Sequence, residues 1–132
     1  MKKLEQVKKE VENIKDSLGK PIDPKIKDLI VGLRRWDIET LMSCEGHEDG
    51  LKYPWVDVDL GSIEKLARII SIWWKDKGDN VPASDQPRWL MKVFAGMVRI
   101  IPENKDTRTL QEMQEDAENF GKFLQEITSN YF

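Results

Sequence analysis

The chain has 132 residues, of which 39% are hydrophobic and 34% charged, and a formal net charge of -3. A chain of that length supports one domain, able to bury roughly two thirds of its unfolded surface without staples. This composition excludes a disordered tail and a disulfide scaffold, and the acidic balance argues against the broad basic footprint of sequence-independent nucleic-acid binding.

Within residues 1–19, Leu4, Val7, Val11, Ile14 and Leu18 recur at spacings of three and four among Lys and Glu. This predicts an amphipathic helix stopped by Gly19 and Pro21. The stripe is expected to pack on its own domain, because two heptads are too few to specify a coiled coil; a homo-oligomer assembled through it is the alternative. No apolar run approaches the roughly eighteen residues of a membrane span, and the charged start is unlike a secretory segment, so neither insertion nor export is expected.

Pro24 suits a first helical position and Asp23 before it suits the cap. Ile26, Leu29, Ile30 and Leu33 then form the buried face of a second helix, which Arg34-Arg35-Trp36-Asp37 ends. Residues 38–44 are strand-compatible and run into Glu45-Gly46-His47-Glu48-Asp49-Gly50, which is turn chemistry, so a strand ends near Cys44. Pro54 to Leu60 alternates, with Val56, Val58 and Leu60 on one face and Trp55, Asp57 and Asp59 on the other. Joined through residues 45–53, the two strands are expected to form an antiparallel hairpin with His47 in its loop.

From Ser62 to Lys77, Ile63, Leu66, Ile69, Ile70, Trp73 and Trp74 predict the main core helix, ended by Gly78. A polar linker with Pro82 and Pro87 follows. Arg88 to Ala95 and Val98 to Ile101 read as two strands around Gly96, with one bent strand as the alternative, and Pro102 closes the run. Thr109-Leu110-Gln111-Glu112 fits a capping box opening a long helix lined by Leu110, Met113, Ala117, Phe120, Phe123, Leu124, Ile127 and Tyr131. The order is ααββαββα. It implies an α+β domain with an antiparallel or mixed sheet of about four strands and helices mainly on one face.

The only cysteine and the only histidine, Cys44 and His47, stand three positions apart beside Gly46. A single cysteine permits no intrachain disulfide and fits a reducing compartment, so a cytoplasmic location is expected. Three chemistries suit the pair. Cys44 could act as a thiolate nucleophile with His47 as acid/base and Asp57 as orienter. Alternatively, Cys44 and His47 could be half of a zinc site, completed by Asp57 or Asp59, with Glu45 or Asp49 in reserve, or by ligands from a second subunit. The third is a noncovalent small-molecule pocket, with Glu45, Gly46 and His47 offering backbone amides and Trp55, Asp57 and Asp59 an aromatic wall and acceptors. Asp57 and Asp59 also have a plainer reading as a solvated strand face, and Trp73, Trp74 and Trp89 as core packing. No phosphate loop or dinucleotide fingerprint is present.

Across residues 22–60, the stretch Thr40-Leu41-Met42-Ser43-Cys44-Glu45-Gly46-His47, followed by Tyr53-Pro54-Trp55-Val56-Asp57, resembles small, mostly bacterial proteins of uncharacterised function with a Ser-Cys-Glu-Gly-His segment. The resemblance implies an independent α+β domain and brings no reaction, cofactor or partner. Ser43-Cys44-Glu45-Gly46 is also similar to a Ser-Cys-x-Gly stretch of the wybutosine-synthesis methyltransferase-like family acting on transfer RNA. Arginine follows there and His47 here, and this chain has no methyl-donor fingerprint, so that activity is not expected. The sequence thus points to a small-ligand- or metal-binding protein with its site at the Cys44–His47 loop, zinc being the metal the donors suggest. A small Cys- or metal-dependent enzyme and a protein assembling through its N-terminal helix are the alternatives.

Overall fold

Alternation at Val56 and Val58, periodicity at Leu66, Ile69 and Trp73, and the capping box at Thr109 each become the element their pattern predicts. A computed structural model describes residues 1–78 and 88–131. The elements are α1 (Leu4–Glu12), α2 (Pro24–Arg35), β1 (Thr40–Cys44), β2 (Trp55–Asp59), α3 (Ile63–Gly78), β3 (Trp89–Phe94), β4 (Met97–Pro102) and α4 (Leu110–Glu126), with 3-10 turns at Leu60–Ser62 and Ser129–Tyr131. The linker with Pro82 and Pro87 lies outside the described residues.

The four strands form one antiparallel sheet in the order β1-β2-β4-β3. Ala95 and Gly96 both have positive φ, 49° and 78°, so β3 and β4 are two strands joined by a two-residue hairpin turn of the primed kind, not one bent strand. Val56, Val58, Val98 and Ile100 are fully buried in one core with residues of all four helices. Leu60, expected on that face, instead opens a 3-10 turn and is 40% exposed.

Helix α1 is shorter than its apolar stripe. The Asn13 side chain donates to the Lys9 carbonyl at 3.1 Å and the chain turns away. Asp16 Oδ1 accepts the Leu18 and Lys20 amides at 2.9 Å each, and Lys15 bridges to Pro21. Leu18 is therefore on a surface turn, while Val7 and Val11 are buried where α1 meets α2. In α3 only Trp73 of the tryptophan pair enters the core, stacked on Phe120 at 5.2 Å; Trp74 is exposed.

Helices α2 and α4 run side by side in the same direction, Lys25 reaching Gln114 and Arg35 reaching the Ile127 carbonyl. Glycines let them touch. A Cβ on Gly121 would lie 2.2 Å from the Asp28 carbonyl carbon, and one on Gly32 would lie 2.8 Å from the Gly121 oxygen. At the far end, Arg35 and the Trp36 indole N–H donate to the last carbonyls of α4, which have no intrahelical partner. Helix α4 stops at Glu126, short of the expected Tyr131, because Ile127 takes an extended conformation.

The capping box is formed in full: Thr109 Oγ1 accepts the Glu112 amide at 3.1 Å and the Glu112 carboxylate accepts the Thr109 amide at 3.0 Å. Those bonds hold the Glu112 carboxyl below its usual range, so its contribution is present at neutral pH and lost as pH falls through the lowered value. Thr109→Ala is expected to cost about 1 kcal/mol in urea denaturation. A change below about 0.3 kcal/mol would show that tertiary packing alone holds the helix start.

Candidate functional site

The site forms where the N-terminus of α2 meets the end of β1. Asp23, in the capping position before Pro24, makes no side-chain bond to its own helix. Its Oδ2 instead accepts the Glu45 amide at 3.1 Å, and Glu45 Oε1 accepts the Lys25 amide of α2 at 3.1 Å. The two carboxylates thus exchange caps between helix and loop. Gln114 of α4 clamps the same loop, donating to the Glu45 carbonyl at 3.0 Å. His47 closes it, its amide bonding the Leu51 carbonyl at 2.9 Å.

Gly46 is buried at φ +90°, and a Cβ there would lie 2.7 Å from Leu110 and 2.8 Å from the Tyr53 backbone. Its close approach is therefore to the protein's own chain, and its amide points to Cys44 Sγ at 3.4 Å. This folding brings three donors together: one carboxylate oxygen of Asp23, Cys44 Sγ and one ring nitrogen of His47 lie within 4.8 Å of one another. Asp23 and Cys44 are half-buried and His47 is exposed.

Burial pushes the Cys44 thiol up, the Gly46 amide opposes this, and the Asp23 and Glu45 carboxylates add to the rise. Such surroundings disfavour a free thiolate. On the other side of His47, a cleft of about 580 Å³ runs between the loop and α4, lined by Lys25, Gln111 and several glutamates including Glu48 and Glu115.

The strand residues expected at the site have partners of their own, although Trp55 lies directly opposite Cys44 in the β1–β2 register. Both Asp57 oxygens take the Arg99 guanidinium, at 2.7 and 2.9 Å, and Asp57 is 1% exposed. That guanidinium lies over the Trp55 ring at 3.9 Å from its centroid, so Trp55 forms a wall for Arg99. Asp59 caps the following turn by accepting the Gly61 amide at 2.9 Å. Asp49 is exposed and stands outside the donor group. Cys44 and His47 therefore come together as expected, framed by Glu45 and Gly46. Asp57, expected as orienter or ligand, is committed to an ion pair, and Asp23 supplies the carboxylate. Asp23 carries no local signal beyond its capping position before Pro24.

Comparison with protein-family models, with curated proteins and with solved structures finds nothing that matches this chain. Among the described residues, no helix is long and apolar enough to cross a membrane.

Proposed function

We propose that the chain binds a divalent transition-metal ion, zinc by the chemistry of the donors, through Asp23, Cys44 and His47. The observation that carries this is the convergence of thiol, imidazole and carboxylate donors within 4.8 Å. Thiolate and imidazole together favour zinc over magnesium or calcium, and three protein donors leave a fourth tetrahedral position for water or a substrate atom. The clamp from Gln114 and the exchanged caps of Asp23 and Glu45 would hold two of the donors in place, as outer partners do in metal sites. A metal-free thiolate nucleophile is the weaker reading, because burial and two carboxylates oppose ionisation of Cys44.

Tag-free protein is expected to take up one equivalent of zinc, and cobalt(II) in its place is expected to show thiolate charge-transfer absorption. Asp23→Asn, Cys44→Ser and His47→Ala should each weaken binding by more than the roughly 10–100-fold that outer partners contribute. Wild-type protein that takes up no zinc or cobalt would overturn the reading. Unchanged affinity in Asp23→Asn would remove the carboxylate from it.

A further inference from the structure

Trp73 of α3 packs on Phe120 and Phe123 of α4, at 5.2 and 5.3 Å between ring centroids. It is 2% exposed, and among the described residues its indole N–H has no acceptor. The other indole buried against α4, that of Trp36, donates to the Leu124 carbonyl at 2.8 Å. A buried tryptophan N–H usually finds such a partner, and one left without it opposes folding.

A cavity of about 410 Å³ opens at this contact, with Trp73 and Phe123 as its aromatic wall. That volume falls in the range of small-molecule pockets. Lys77 and Lys122 line it together with Asp116 and Glu126, so its charges cancel. A plain anion or a plain cation meets as much repulsion there as attraction, whereas a small molecule carrying both charges is matched.

Asp116 is the fixed member of the lining. Its side chain is 22% exposed, and its Oδ2 takes Arg108 Nη1, which leaves Oδ1 to a ligand. Burial pushes its carboxyl up and Arg108 opposes the rise, so a second cation beside it is favoured. The lysines are the movable members. Their side chains are 52% and 56% exposed, and their pairs with Asp76 and Glu118 are weak surface pairs. The Lys77 ammonium lies over the Trp73 ring, 5.9 Å from its centroid, and a ligand reaches the indole N–H by displacing it.

We propose that this pocket binds a free α-amino acid with an apolar side chain. Its carboxylate would accept from the Trp73 indole N–H and pair with Lys77 and Lys122. The ammonium would bond Asp116 Oδ1 and face Glu126, and the apolar side chain would lie on Phe123. The pocket shares no residue with the donor group of the metal reading, so neither depends on the other.

The test is titration of the nitrogen-15-labelled full chain, without added metal, with L-leucine and with L-phenylalanine. The readout is the Trp73 indole N–H resonance, assigned through its cross-peaks to Phe120. At least one of the two is expected to shift it saturably, with a Kd of about 1 mM or below. The N-acetyl and the amide derivatives of that amino acid each lack one of its charges, and each should bind about tenfold or more weakly. Lys77→Ala with Lys122→Ala, two exposed positions whose variant circular dichroism checks for folding, should weaken binding about as much. Absence of a saturable shift with both amino acids, equal binding of a derivative lacking one charge, or unchanged affinity in the double variant would each overturn the proposal. Displacement of the amino acid by acetate at equal concentration would also overturn it, by making the pocket an anion site.

Discussion

Gly121→Ala is expected to destabilise the protein by about 3 kcal/mol, the upper end of what overpacking usually costs. Helix propensity alone predicts the opposite sign, since alanine is better than glycine inside a helix by about 1 kcal/mol. The sign is decided by what the methyl group meets. At Gly121 it would lie 2.2 to 2.4 Å from the Asp28 carbonyl and the Leu29 amide nitrogen, and backbone in a packed helix cannot swing aside as a side chain can. The helices must separate, which loosens the contact between α2 and α4 along with the Arg35 and Trp36 bonds that close the end of α4. Gly32→Ala meets the Gly121 oxygen and the Leu124 Cβ at 2.8 Å, so a smaller loss is expected there. The two changes share one contact and should not add. Urea denaturation of both single variants and the double variant reads the result. A stabilised Gly121→Ala protein would mean that the helices do not approach this closely.

Nothing in the periodicity of α2 or α4 marks Gly32 or Gly121, and that shows where the sequence stops being legible. Local patterns come through: the alternation about Val56 and Val58, the Thr109 capping box, Pro24 at a helix start and the break at Gly96 all describe neighbours along the chain. The overextended α1 shows the limit of the same logic. Leu18 continues the stripe in register, but Asn13 and Asp16 supply side-chain bonds that end the helix sooner, and a single apolar residue does not outweigh them. The site divides in the same way. Cys44 and His47 are close in sequence and were visible as a pair, whereas their third donor, Asp23, arrives through packing of α2 against the end of β1. Asp23 is a standard cap by its position, and only the exchange with Glu45 frees it from that role. Asp57 stands outside the donor group for the converse reason. The alternation puts it on the face opposite Val56 and Val58, but its partner Arg99 comes 42 positions later and on another strand, and that pair buries it.

Breaking that pair is expected to have an effect as large as Gly121→Ala. With Asp57 1% exposed, Arg99→Met leaves a buried carboxylate without its counterion, a change that typically costs about 3–5 kcal/mol. The Asp57 hydrogen bonds raise the Arg99 guanidinium above its ordinary value, the same favourable pairing seen from the cation's side. Asp57→Val combined with Arg99→Met should recover much of the loss, because removing the buried carboxylate together with its partly exposed counterion leaves no charge unpaired. Phe94 and Trp55, which now flank the guanidinium at 5.2 and 3.9 Å, would pack on the methionine. The double variant also separates the two carboxylates that compete for a place in the metal site. If it folds and still binds zinc as tightly as the wild type, Asp57 has no part in the donor set and Asp23 holds that position. If it folds and loses zinc, the carboxylate that matters is on β2, and Asp23 serves only to fasten the loop.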